Sequence, residues 1–192
     1  QDQLTSHGNF LFRWRNYTPF FLLPLFFLAA PESARIEKVI GESNSHTWAY
    51  FCMGFSAIGI IIRSVAIAYS APGTSGRNRH GQFADSLNTT GIYSIVRHPL
   101  YLGNYVGLLG LLVSTKVWWA AVIGTLIYWI VIERIIMTEE AFLSSKFGEG
   151  YKNWTSRTPA FFPNLSKWIP PAGSFYWREI VKREYNGVAA LA

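Results

Sequence analysis

The sequence predicts an all-α, polytopic integral membrane protein, with about four transmembrane helices and a cytoplasmic amphipathic helix near the C-terminus. Three observations predict it. Half of the 192 residues are hydrophobic and only 15% are charged, against roughly a quarter in a soluble domain. The charges cluster, leaving long tracts of Leu, Ile, Phe and Trp, and a spanning helix needs about 20 such residues. The 17 Lys and Arg residues are distributed unevenly around those tracts, as membrane orientation requires. The length fits a single membrane-embedded domain over residues 1–192.

The spans follow in order. The first is placed at Tyr17–Pro31; it is short and contains Pro19 and Pro24, so it is either kinked or assisted by Phe10–Trp14 at the interface. The second covers Thr47–Tyr69. The third covers Pro99–Ser114 and opens on a proline, which suits the first turn of a helix. The fourth covers Val117–Thr138. Only Thr115 and Lys116 separate the last two, which predicts a tight antiparallel hairpin. With both termini in the cytoplasm, only Arg35, Lys38 and Lys116 fall outside, so the positive-inside rule selects this orientation. The segment 70–98 and the tail 139–192 then share the cytoplasmic face. Gly103, Gly107 and Gly110 recur at helical spacing and read as a packing stripe.

In the tail, prolines 159, 163, 170 and 171 predict an extended strap. Ser174–Asn186 is expected to be a helix, apolar on one side and basic at Arg178, Lys182 and Arg183. It either lies on the membrane surface or packs on the protein's own cytoplasmic face. The net charge of +6 fits cytoplasmic loops and anionic lipid, not nucleic acid. The single cysteine, Cys52, excludes an internal disulfide and a cysteine-based metal cluster; no metal site is expected. No removable signal peptide is expected either.

The most informative stretch is Leu87–Tyr105. Arg97 and His98 immediately precede Pro99, so two potential cations meet the free N–H groups and positive dipole end of a helix. That is an anion site, or alternatively a helix end anchored to lipid phosphates. At the inner end of the fourth span stand Glu133, Arg134, Glu139 and Glu140. Adjacent carboxylates attract a cation, unless they are merely a solvated helix end. The short hairpin brings the two clusters together. A ligand carrying both a carboxylate and a cation would find complementary groups, and S-adenosylmethionine carries a carboxylate, an ammonium and a sulfonium.

The run Arg97-His98-Pro99-x-Tyr101, then Glu139-Glu140, then Phe147-Gly148-x-x-Tyr151, then Arg157 and Pro159 resembles the isoprenylcysteine carboxyl methyltransferase and phospholipid methyltransferase superfamily. The resemblance covers roughly Leu87–Pro163. It implies a membrane-embedded helical core, a cofactor pocket at the cytosolic face, and S-adenosylmethionine held by Tyr93, Arg97, His98, Pro99, Tyr101, Leu102, Glu139 and Glu140. It implies catalytic parts for Arg157, Arg134 and His98, although the spacing of Arg134 fits the family pattern less well. Similarity to bacterial members, including those that methylate a lipid A phosphate, implies a bacterial inner membrane.

Methyl transfer from a sulfonium to an ionised carboxylate or phosphate needs alignment, not a base, whereas an amine must first lose a proton. Arg63, Arg134, Arg157, Arg178 and Arg183 suit an anionic head group. With the basic loop 76–81 they point to a lipid phosphate as acceptor. A prenylcysteine carboxylate or a phospholipid amine is the alternative. An NADPH-dependent reductase of the sterol type and a non-catalytic scaffold are readings of other classes. The predicted topology makes a cysteine at residue 80, introduced as His80→Cys with Cys52→Ala, reactive to impermeant reagent only from the cytoplasmic side. Labelling from the opposite side alone would overturn it.

Overall fold

The computed structural model describes residues 20–70 and 84–172. The basic loop 76–81, the helix expected over 174–186, the stretch 10–14 and the first residues of the first span, 17–19, lie outside them. The described elements are helical: α1 Leu23–Ile40, α2 Glu42–Ala68, α3 Ile92–Ile95, α4 Pro99–Ser114 and α5 Trp118–Thr155, with a 3₁₀ turn at Leu165–Lys167. Among the described residues the extended pairing is an isolated antiparallel bridge, Gly91 to Ile169.

One boundary differs from the sequence expectation. α1 does not stop near Pro31 but runs through it. An interior proline forfeits one backbone bond, yet Leu25 and Ala29 are buried on one side of it and the residues after it are good helix formers. The helix ends instead at Gly41, whose φ of 83° is open to glycine and whose N–H donates to Glu37 O at 3.0 Å. Glu32, Arg35, Glu37 and Lys38 therefore lie on the helix itself. At the other end, α5 continues past Thr138 to Thr155, interrupted only by Gly148 with φ 51°. The tail segment Glu139–Trp154, helical in character from its sequence, continues that helix, because no breaker stands between Thr138 and Gly148. α4 has the expected bounds.

Two described helices, α2 and α5, are long and apolar enough to cross a membrane, and α4 is apolar but shorter. The apolar part of α5 ends near Thr138, where Glu139 and Glu140 begin its polar continuation.

The chain forms two compact units. One combines residues up to Gly59 with Asn104–Ile135, the other Ile60–Gly103 with Ile136 onward. In the first, Leu22, Leu25 and Ala29 pack with Leu112, Val117 and Ala120. The hairpin between α4 and α5 turns on Lys116, with φ 65°. Thr115 Oγ1 donates to Leu112 O at 2.7 Å and accepts from Val117 N–H at 3.3 Å. Close approach explains the glycine stripe. A Cβ on Gly110 would stand 2.8 Å from Cys52 O and 3.0 Å from Ser56 N, and Ser56 Oγ donates to Gly107 O at 3.0 Å. Cys52 is buried beside this contact. Trp119 Nε1 donates to Glu32 Oε2 at 2.7 Å, giving one α1 carboxylate a partner.

The second unit has its core at Ala66, Ile92, Tyr93, Ile95, Val96, Tyr151 and Trp154. Trp154 Nε1 donates to Tyr93 O at 3.0 Å. The strap after α5 lies along residues 91–98. Arg97 and His98 donate their N–H groups to Pro159 O and Ala160 O at 2.9 and 3.2 Å, and Asn164 N–H donates to Ile95 O at 2.9 Å.

Gly110→Val is expected to destabilise the protein by about 1–3 kcal/mol through overpacking, seen as a lowered midpoint of thermal unfolding in detergent. Gly54 has open space where its Cβ would be, so Gly54→Ala should leave the midpoint unchanged or raise it. Equal effects from the two would refute the close-packing account.

Candidate active site at the start of α4

The site lies within the second unit. Gly91, with φ 59°, turns the chain into α3, and Val96 returns to extended backbone. The backbone bonds of Arg97 and His98 to the strap then fix both side chains at the first turn of α4. Pro99 is fully buried behind them. Leu102 N–H donates to His98 O at 3.0 Å, so His98 sits at the helix start and Tyr101 one turn on.

Glu139 and Glu140 meet these side chains from α5. His98 Nε2 stands 2.9 Å from Glu140 Oε1, and its Nδ1 3.9 Å from Glu139 Oε2. Arg97 reaches the same Glu140 oxygen at 3.4 Å. Tyr101 donates its hydroxyl proton to Glu139 Oε2 at 2.9 Å, and its ring stacks on His98 at 5.8 Å between centroids. The His98 side chain is only 5% exposed, while Glu140 and Glu139 keep 26% and 32%. The imidazole is therefore buried while the carboxylates stay partly exposed.

Burial is the largest influence on Glu140 and pushes its pKa up. The hydrogen bond and attraction of His98, the attraction of Arg97 and the neighbouring Tyr151 together outweigh it, so the net shift is down and the carboxylate is ionised at neutral pH. Tyr151 moves the other way. Burial first, then the negative charge of Glu140, raises its phenol far above the usual tyrosine range. It remains a proton donor.

Two polar atoms in this cluster are left over. Among the described residues, Arg97 Nε and the Tyr151 hydroxyl are buried without a well-formed hydrogen bond, although the Tyr151 hydroxyl lies close enough to Glu140 and Arg97 to act on both. Buried donors of this kind are rare and have capacity for a further partner. Sequence reasoning quoted Tyr151 as part of a motif but gave it no role. The signal was Gly148, whose positive φ breaks α5 three residues before Tyr151 and lets the helix after the break bring Tyr151 and Trp154 to the core.

The other expected residues divide. Tyr93 is buried in the core with its carbonyl used by Trp154, and Leu102 packs against the same cluster. Arg157 is exposed. It lines a shallow cleft of about 640 Å³ together with Arg97, Thr158, Pro159 and Phe162, so two guanidinium groups share one cleft, with Arg97 linking it to the carboxylates. Arg134 belongs to the other unit. Among the described residues no cluster of His, Cys, Asp and Glu could hold a metal ion.

Residues 47–150 match the family model for phospholipid methyltransferases, a stretch that contains Tyr93 to Glu140 and stops short of Arg157. The chain is 38% identical over 135 residues to a nickel-cobalt-cadmium resistance protein of Alcaligenes xylosoxydans xylosoxydans, covering 68% of this chain and 60% of that protein. It is 37% identical over 109 residues to a cobalt-zinc-cadmium resistance protein of Cupriavidus metallidurans, covering 57% and 48%. It is 31% identical over 112 residues to the protein-S-isoprenylcysteine O-methyltransferase of Schizosaccharomyces pombe, covering 58% and 48%. The chain thus spans about half the length of the curated relatives it matches. No solved structure matches it.

The lowered pKa of Glu140 sets a pH dependence. A carboxylate whose folded pKa lies below its unfolded value contributes stability that is fully present above the unfolded value, here 4.5, and is lost as pH falls through the folded value. The thermal midpoint should therefore drop on acidification below pH 4.5, and Glu140→Gln should flatten that part of the drop while costing about 1–3 kcal/mol at neutral pH. An unchanged acid limb in the variant would mean that Glu140 is not held by His98 and Arg97.

Proposed function

Because the chain belongs to the phospholipid methyltransferase family, we propose that it is an integral-membrane enzyme that transfers a methyl group from S-adenosylmethionine to an anionic lipid head group. In this reading four spans carry the site to the cytoplasmic face of a bacterial inner membrane. The acceptor is a lipid phosphate, such as that of lipid A.

The observation that carries the cofactor reading is the pair of orphaned atoms, Arg97 Nε and the Tyr151 hydroxyl, beside an ionised carboxylate pair. Both are donors, and the phenol stays protonated; two buried donors without well-formed bonds suit an acceptor such as a carboxylate. Glu139 and Glu140, partly exposed, present negative charge to a cation. The donor set and the acceptor set therefore fit the two ends of an amino acid, and the remaining positive charge of a sulfonium is favoured by the same carboxylates. When bound, the cofactor supplies the methyl group.

The chain's own residues bind and orient. His98 is engaged by Glu140 at 2.9 Å, which supports a holding part over that of a free base. An anionic acceptor needs no base, since its oxygen already carries the lone pair that forms the new bond. Arg157 and Arg97, in one cleft, are placed to align a phosphate or carboxylate by two-pronged contact. Arg134, on the other unit, is a weaker candidate for this part. A prenylcysteine carboxylate is the second reading, favoured by the likeness to the yeast O-methyltransferase; a phospholipid amine would require a base that the His98–Glu140 pairing does not leave free.

Titration of the purified protein in detergent should show S-adenosylmethionine binding and no NADPH binding. Tyr151→Phe and Glu140→Gln should each weaken it about ten- to a hundredfold. Unchanged affinity in both would place the cofactor elsewhere, and NADPH binding would favour a reductase.

Arg157→Ala should leave cofactor affinity intact but lower transfer of a labelled methyl group to extracted lipid by about a hundredfold, with Arg157→Lys rescuing it in part. Near-normal transfer by the alanine variant would remove Arg157 from the mechanism. Mass spectrometry of the labelled lipid identifies the acceptor.

A further inference from the structure

The strap that holds Arg97 and His98 in place has a second face. Phe161 is turned inward and buried, but Phe162 and Leu165 are each 75% exposed and Trp168 51%. These three follow one another at intervals of three residues, with Lys167 among them. Such exposure on a loose loop would mean little. Here the backbone underneath is sewn down along its length. Asn164 N–H donates to Ile95 O at 2.9 Å and Gly91 N–H to Ile169 O at 2.8 Å. Ile169 N–H donates to Ser94 Oγ at 2.9 Å, and Ala172 N–H to Thr90 Oγ1 at 3.2 Å. The apolar tips are thus held outward by a fixed scaffold and cannot collapse inward without breaking those bonds.

The charges beside the tips point to what covers them. Arg157 and Lys167 line one small cleft of about 270 Å³ with Thr89, Ser94, Ser166 and Trp168. Among the described residues neither makes an ion pair. Two uncompensated cations and several hydroxyl groups suit phosphate. A tryptophan, a phenylalanine and a leucine exposed on one strap suit the boundary between head groups and acyl chains, where aromatic rings and snorkelling cations are favoured together. We propose that the segment 159–171 is an interfacial anchor, with Phe162, Leu165 and Trp168 dipping into the bilayer and Lys167 holding the phosphates of anionic lipids. The occupant is bulk bilayer lipid, distinct from the methyl acceptor. The inference rests on the membrane reading of the chain and not on its enzymatic activity.

The test uses the full chain in nanodiscs, with Cys52→Ala and single cysteines carrying an environment-sensitive fluorophore. Phe162→Cys and Leu165→Cys report on the strap. Asn153→Cys, exposed at the end of α5, is the aqueous control, and Ile130→Cys, exposed within the apolar part of α5, is the bilayer control. Lipids brominated on their acyl chains should quench the probes at 162, 165 and 130 and spare the one at 153. Quenching at 165 should favour brominated phosphatidylglycerol over brominated phosphatidylcholine, and Lys167→Gln should reduce that preference roughly fivefold. Quenching at 130 with none at 162 and 165 would overturn the anchor and leave the membrane reading standing. Strap probes shielded from water yet unquenched would assign the face to a second copy or to the chain's own terminal segments. Loss of quenching at 130 as well would overturn the membrane reading and the anchor with it. Quenching without preference between the two lipids would overturn the phosphate contact.

Discussion

Everything at the site depends on burying a histidine and an arginine beside two carboxylates. A charge taken out of water is costly unless it is paired in good geometry. Here the geometry is set by backbone, since Arg97 and His98 are each tied by their N–H groups to the strap before their side chains meet Glu140. The strap, the first turn of α4 and the polar continuation of α5 form one mutually dependent assembly. Loosening any one of them leaves an unpaired charge in a mostly dry place. That dependence accounts for the spread of the motif over some sixty residues, from Arg97 to Pro159.

The two orphaned donors give the same assembly a direction. Most of its polar atoms are satisfied internally: Tyr101 by Glu139 and His98 by Glu140. Leaving Arg97 Nε and the Tyr151 hydroxyl without well-formed bonds costs about 1–3 kcal/mol each, a cost that the carboxylate of the proposed cofactor would offset. The carboxylates, in contrast, are partly exposed and already paired on one side, so they attract a cation without demanding one. The site is therefore asymmetric, with a dry donor end and a wetter acceptor end.

Much of this was legible in the sequence. Pro99 marked the start of α4 correctly because its ring is accommodated only in the first turn. The Thr115–Lys116 turn was short enough to force a hairpin, and the glycine stripe was read correctly as packing. The misplaced boundary has a physical cause. Pro31 was taken as a boundary by its backbone, yet helix ends are decided by the whole of the local hydrogen bonding, and there the lost bond was tolerated. The helical character of Glu139–Trp154 was legible, and it continues α5 without a break at the two carboxylates. Tyr151 escaped because its role depends on burial and on the turn at Gly148. The inward Phe161 and outward Phe162 are adjacent and chemically identical, so only the fixed course of the strap tells them apart.

The length of α4 has a consequence for where chemistry can happen. At about 1.5 Å per residue, its 16 residues rise only about 24 Å, less than the roughly 30 Å of hydrocarbon in a typical bilayer. Such a helix cannot present both ends at the water boundary unless the membrane thins around it. In the proposed membrane reading, a helix this short with its far end at one aqueous edge would leave the first turn at Pro99 several ångströms short of the other, at the depth of glycerol and phosphate groups. A lipid could then offer its head group there without being lifted from its leaflet, while a water-soluble cofactor would have to descend to meet it.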